Sequence, residues 1–494
     1  MNYISTRGGE KHGVSSAYAI KTGLASDGGL YMPESIPNLN NTEINEMIND
    51  SYPVRAAKIL SKFLTDYSYD ELLEDATGAY SETKFGSSPA PITKLDEKNY
   101  ILELWHGPTC AFKDMALQIM PRLFTRALKK CGETKTAMIL VATSGDTGKA
   151  ALEGYKDIDG TKIKVFYPVS GVSRVQKLQM QTQDGKNVSV SGIVGNFDDA
   201  QNGVKKIFGD AAVKEKLADM GIFLSSANSI NWGRLVPQIV YYVSAYCDLL
   251  KSGAITQGEK IDVCVPTGNF GNIFAAYIAK LMGLPIEKLV CASNMNNVLT
   301  DFLKTGTYNR NRAFHATISP SMDILISSNL ERLLYVTLGT EKTAYYMKKL
   351  ASDGEYTLTD GELKIINASF AGYYTDEDET RKTIYDIYKN KNCLIDTHTA
   401  VAVNAAFCYA NENKAERKML AVSTASPYKF ASDVFFAVSG KKPKDELSAF
   451  DELEQYTGVK APTPLSGLAD KKIIHSQTID KDEMEKATFS FAMN

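Results

Sequence analysis

No apolar run in the 494 residues approaches the ~20 needed to span a bilayer. The longest, such as 137–142, have the length of buried strands. The first eight residues lack the basic and then apolar order of a secretory leader. The expected location is therefore the cytoplasm, with no membrane partner. A basic excess is missing as well: 55 Lys and Arg against 58 Asp and Glu give a formal charge of −3, and no basic stripe stands out. That argues against nucleic acid as a partner. The seven cysteines (110, 131, 247, 264, 291, 393 and 408) are scattered, odd in number and free of any Cys-x-x-Cys pair, so they read as reduced and mostly buried. The five histidines (12, 106, 315, 398 and 475) are equally dispersed, and without metal-ligand spacing no metal is expected. Internal repeats and low-complexity segments are absent too.

What is present is an ordinary globular composition, 44% hydrophobic and 23% charged, on a chain long enough for two or three domains. Residues 1–92 carry polar turns and helical stretches at 52–63 and 69–80, and the Gly/Ser/Pro-rich 85–92 marks a boundary. From 93 to 440 short apolar strands alternate with helical runs. The strand 137–142 leads to a helix at 149–155, and 162–169 to one at 173–181. Likewise 261–265 precedes a helix through Lys280, and 418–422 another helix. This pattern predicts an α/β fold of parallel sheets covered by helices, with a mainly helical N-terminal domain. Residues 441–494 return to charged helices, 441–455 the clearest, packed on the main body. Ligands in such folds bind beyond the carboxyl ends of strands, in the small-residue loops.

Five segments have residues suited to chemistry. In His106-Gly107-Pro108-Thr109-Cys110-Ala111-Phe112-Lys113-Asp114, a turn places Lys113 early in a helix among apolar neighbours. Desolvation there would leave part of its amine neutral and nucleophilic; the plainer alternative is a surface lysine paired with Asp114. The loop 143–149 contains Ser144, Gly145, Asp146, Thr147, Gly148 and Lys149. Its two glycines are too close, and Ala150 follows the lysine, so it is no P-loop. It is a strand-to-helix loop with hydroxyls and amides for an anion, or simply a capped turn. Gly268-Asn269-Phe270-Gly271-Asn272 opens a helix with two glycines and no cation, which suits a phosphate held by backbone, or a tight turn. The segment 225–234, with Asn228, Ser229, Asn231 and Arg234, concentrates polar groups before a helix running through Tyr242. Finally, Thr424 lies in a loop after a strand, where Ser426-Pro427 also reads as an ordinary helix start.

Taken in order, these segments together with 3–8 resemble threonine synthase in its long form with an extra N-terminal domain. The resemblance implies a tryptophan-synthase-β-like fold (fold type II) and pyridoxal 5′-phosphate (PLP) as cofactor. It also implies conversion of O-phospho-L-homoserine and water to L-threonine and phosphate by a monomer or weak homo-oligomer. Lys113 would be the Schiff-base lysine. Gly268, Asn269, Phe270, Gly271 and Asn272 would form the phosphate cup, Thr424 would meet the pyridine nitrogen, and Asp146 would lie near the 3′-oxygen. Ser144, Thr147, Asn228, Ser229, Asn231 and Arg234 would line the substrate wall. The chain departs from the family pattern at Ser426, where His is frequent, and at Thr397, where Pro is common. His398 reads as a helix-start structural residue rather than an acid–base catalyst, and Arg7 as a residue of the active-site mouth or of a surface turn. The competing assignments are a phospho-lyase that releases 2-oxobutyrate and a non-catalytic homologue, which would be expected to lose Lys113, the cup or Thr424.

Overall fold

The computed structural model describes every residue except Lys11, Ser144 and Asn494. Two sheets organise it. The larger runs Phe370–Tyr374, Ile286–Ser293, Ile261–Pro266, Met419–Ser423, Asn99–Glu103 and Ile92–Lys94. All its neighbours are parallel except the last edge strand, which is antiparallel. The smaller sheet is wholly parallel, in the order Thr478–Asp480, Val188–Val194, Thr161–Pro168, Thr136–Ala142 and Ile222–Ser225. Ile261–Pro266 and Met419–Ser423 are buried at every position. A strand covered on both faces needs no polar alternation, which is why these segments are mainly apolar; the charged exception, Asp262, is buried and paired with Arg417.

The helix Trp232–Lys251 is buried along almost its whole length. It begins earlier and ends later than the expected stop at Tyr242. Asn231 caps its N-terminus by accepting from Gly233 N at 2.8 Å, so Arg234 rides on the first turn rather than in the preceding loop. The helix Gly271–Met282 packs against it on one side and Tyr52–Phe63 on the other.

The N-terminal region contains the helices Ser16–Thr22, Asn41–Met47, Tyr52–Phe63 and Tyr69–Ala79, together with an antiparallel ribbon of Tyr3–Ser5 and Tyr31–Pro33. The helix at Tyr69 starts where it does because Ser68 and Glu71 cap each other's backbone amides. This region shares its core with the rest of the chain. Tyr3 meets Trp232 edge to face at 5.5 Å, and Arg55 donates to Ser244 and Asp248. Arg332, 0% exposed, donates to the Tyr31 carbonyl at 3.1 Å, the Ile230 carbonyl at 2.6 Å and Asn329 Oδ1. Arg7 pairs with Glu331 at 2.7 Å.

The C-terminal stretch differs from expectation in two ways. The helix covers Ser448–Thr457, not 441–455. Gly440, at φ +72°, closes the preceding helix, Pro443 has no amide to donate, and Asp445 caps Leu447 N and Ser448 N. The region is also not helical throughout, because Thr478–Asp480 extends the smaller sheet at its edge.

Arg332→Met leaves the Tyr31 and Ile230 carbonyls without their donor inside the core. Chemical denaturation is expected to show a loss of about 3 kcal/mol. Arg312→Met, at a partly exposed pair with Asp301, is expected to cost about 1 kcal/mol or less.

Candidate active site

Lys113 stands just before the short helix Asp114–Leu117, in the connection that leaves the strand Asn99–Glu103. Its neighbour in the sheet, Met419–Ser423, sends its own connection alongside. Phe112 N donates to Thr424 O at 2.8 Å and Ser426 N to Cys110 O at 3.1 Å, so the two loops are zipped together. Cys110 takes φ +57° to allow this, an uncommon conformation for a residue with a Cβ. The Thr424 and Lys113 segments, far apart in sequence, thereby become adjacent.

The alternative of a surface Lys113 paired with Asp114 is overturned. Asp114 turns back on Thr109, accepting from its amide at 2.8 Å and its hydroxyl at 2.7 Å, and burial pushes its carboxyl up to about 6. Lys113 instead faces Asp146, with Nζ 3.8 Å from Oδ2, and donates to Ser321 Oγ at 3.4 Å. Its side chain is only 13% exposed. Burial pulls its pKa below the ordinary lysine value; Asp146 opposes that shift, and the charges of Lys429 and Arg234 reinforce it. A fraction of neutral amine follows.

Asp146 opens the helix Asp146–Tyr155 after the strand Thr136–Ala142. Burial alone would raise its pKa, but Lys429, Lys113 and a hydrogen bond from Gln176 outweigh it and keep the carboxyl ionised. Thr147 follows in the same first turn, half-buried. Ser144 lies outside the described residues.

The loop Gly268 to Asn272 reaches the same place. A Cβ on Gly268 would lie 2.9 Å from the Ser321 carbonyl, so glycine is required there by the loop bearing Ser321 as well as by any ligand. Phe270 adopts φ +62° and turns its ring into the core against Phe370, leaving only its backbone for the cup. The Asn269 carbonyl is held by Asn329 through its amide and Nδ2, at 3.1 and 2.9 Å. Gly271 and Asn272 form the first turn of Gly271–Met282. Both Tyr241 and Tyr242 donate to Asn272 Oδ1 at 2.5 Å. That fixes the amide and leaves Asn272 Nδ2 buried with no partner among the described residues.

The predicted substrate wall separates. Arg234 is buried, donates Nη1 to Ala227 O at 2.5 Å and keeps Nε without a partner; burial pulls its guanidinium down to about 10. Asn228 is exposed and accepts from the half-buried Ser229. Asn231 is not brought to the wall: one amide end caps the helix and the other donates to Ile20 O, tying it to the N-terminal region.

Three residues of the site escaped sequence reasoning. Ser321 arrives from a loop 175 positions beyond Asp146 and carries no motif of its own. Lys429, with a side chain 0% exposed, pairs with Asp146 Oδ1 at 2.8 Å. It lies within the Thr424 segment between Tyr428 and Phe430, and that apolar setting is the signal that could have found it. Gln176 donates to the same oxygen at 2.9 Å. His398 stands one step behind: Asp396 holds its Nδ1 at 2.7 Å, and its Nε2 accepts from Ser321 N at 3.1 Å.

Residues 2–80 match the family described as threonine synthase N terminus, and residues 77–425 the one described as pyridoxal-phosphate dependent enzyme. The threonine synthase of Pseudomonas aeruginosa is 37% identical over 449 residues, covering 90% of this chain and 92% of that protein. The chain belongs to the threonine synthase family. Within that family, human threonine synthase-like 1 is 40% identical over 446 residues, 87% of this chain but 59% of that protein. The chain thus spans about three fifths of the length of that relative. The PLP-bound threonine synthase of Brucella melitensis superposes with a TM-score of 0.88 at 35% identity, covering all of both chains. As a member of this family the chain is a PLP-dependent enzyme with the type II fold. Its residues fit that cofactor: Asn272 Nδ2 and the start of Gly271–Met282 offer donors without partners to a phosphate, and Lys113 offers a buried amine to an aldehyde.

Gly268→Ala forces the Ser321 loop away from the cup. Overpacking of this kind costs about 1–3 kcal/mol, so the expected result is PLP binding weakened roughly tenfold or more with unchanged circular dichroism. Equilibrium titration of the cofactor absorbance checks it.

Proposed function

We propose that this chain converts O-phospho-L-homoserine and water to L-threonine and phosphate. One observation carries the reading: Arg234 is a buried guanidinium with an unpartnered Nε and no carboxylate paired to it among the described residues, close enough to Lys113 to lower its pKa. A cation kept in that state suits an anionic group of the substrate in addition to the cofactor phosphate. The likeness to threonine synthases along nearly the whole chain supports it.

In this reading Lys113 would hold the cofactor covalently, Gly268 to Asn272 would take its phosphate, and Thr424 and Asp146 would offer further contacts to it. PLP, when bound, supplies an electron sink for negative charge at the substrate carbons. Displaced from the cofactor by the substrate's amine, the Lys113 amine would take the Cα proton and move the Cβ proton, a task that needs Nζ neutral at working pH. Arg234 binds the phosphate that leaves Cγ or the substrate carboxylate, and water adds at Cβ. Thr424 offers a neutral hydroxyl where a carboxylate would hold a ring nitrogen more firmly protonated. Thr424→Asp is expected to change the cofactor spectrum and the product partition.

The competing reading is a lyase reaction on the same substrate that releases 2-oxobutyrate. The two part ways at the placement of one water.

Incubation of the PLP-loaded protein with O-phospho-L-homoserine distinguishes them. Threonine with stoichiometric phosphate is expected. Phosphate with 2-oxobutyrate would make the chain a lyase, and no turnover would sink the substrate assignment. Arg234→Met is expected to raise KM about 100-fold, in line with removing one side of a buried charge contact.

A further inference from the structure

Asp146 is a single buried carboxylate between two lysines, and the two are not equivalent. Lys429 Nζ lies 2.8 Å from Oδ1 and donates also to the Thr109 carbonyl at 3.0 Å and Gln179 Oε1 at 3.1 Å. An ammonium has three protons to donate, and these three acceptors satisfy all of them. Lys113 Nζ lies 3.8 Å from Oδ2 and has the long 3.4 Å contact to Ser321 Oγ. We propose that Lys429 is a positioning residue for the reaction: it is the permanent cation that neutralises Asp146, so that Lys113 is the lysine that gives up its proton.

Two ammonium groups and one carboxylate leave a net positive charge in a largely buried site, and such a group sheds a proton to lower its cost. The proton leaves from the amine with the poorer set of acceptors, which is Lys113. The remaining Lys429–Asp146 pair is neutral and hydrogen-bonded at 2.8 Å. Other ionisable groups nearby are Arg234, which adds positive charge, and Asp114 and Cys110, both buried, with His398 behind Ser321. Asp114 is committed to Thr109 and is not an alternative partner for either lysine.

If Lys429 loses its charge, Asp146 has only Lys113 to pair with and holds the proton on it. The inference rests on Lys113 being the lysine that captures PLP, and the test separates the two. Full-length protein freed of cofactor is mixed with PLP across a pH series, and the rate of capture is followed by visible absorbance. In Lys113→Ala, capture should vanish; if it survives, the assignment of Lys113 is overturned. In Lys429→Met the midpoint for capture should move up by about one pH unit, a roughly tenfold slower rate at neutral pH. Lys429→Arg should restore the native midpoint, because the charge and not the packing is what matters. Asp146→Asn, which keeps Lys429, should move the midpoint down. That measurement stands even where Lys429→Met does not fold. An unchanged midpoint in folded Lys429→Met or in Asp146→Asn, or an Arg variant that behaves like Met, would overturn the proposal.

Discussion

The buried carboxylate of Asp146 is the constraint around which the site is arranged. An ionised carboxylate out of water has to be met by cations and donors, and no single stretch of this chain supplies enough of them. Lys113 comes from the loop after Asn99–Glu103, Lys429 from the loop after Met419–Ser423, and Gln176 from the helix Arg174–Gln181 of the smaller-sheet half. Ser321 comes from the loop that His398 holds by its backbone. The same set of contacts therefore satisfies the charge and links loops that follow interior strands of both sheets. Removing any of these donors without removing the carboxylate exposes the cost of its burial.

This also explains which parts of the site were legible in the sequence. Local elements were readable where the cause was local. The strand Ile261–Pro266 shows as a mainly apolar run because both its faces are covered, and Tyr52–Phe63 shows as a helix because its apolar spacing matches the turn. Lys113, the Gly268 to Asn272 loop and Thr424 could be picked out because each lies in a segment with a peculiar composition. Their joint identification came from the order of those segments. Ser321 had no such signature, since a serine in a polar loop is ordinary until tertiary structure puts it against Lys113. The place of Asn231 was hidden for the same reason. A polar residue before a helix can serve as a cap or as a ligand, and here Oδ1 caps Gly233 N while Nδ2 donates to Ile20 O. The shift of the C-terminal helix to Ser448–Thr457 was readable from Pro443 and Asp445 had their helix-stopping and capping roles been weighed above the charge pattern.

The N-terminal region acquires a reason for being present once the cup is traced outward. The Asn269 carbonyl is fixed by Asn329, Asn329 Oδ1 is held by Arg332, and Arg332 is bonded to the carbonyl of Tyr31 in the N-terminal ribbon. One residue earlier, Glu331 receives Arg7 and Thr6 from the same ribbon. The segment 329–332 is thus clamped on one face by residues 6–31 and on the other carries the cup loop. A phosphate cup built from backbone groups has no side-chain cation to hold it in shape, so its geometry depends on what braces the loop from behind. Arg332 has no carboxylate to pair with among the described residues, and burial pulls its guanidinium down to about 9. A charge kept in so unfavourable a setting is best explained by the three carbonyl oxygens it gathers, two of them from distant segments. Two of those, Tyr31 O and Ile230 O, join the N-terminal ribbon to the start of the helix that carries Arg234. The ribbon is therefore tied through the same guanidinium to the Gly268–Asn272 loop and to the turn that carries Arg234.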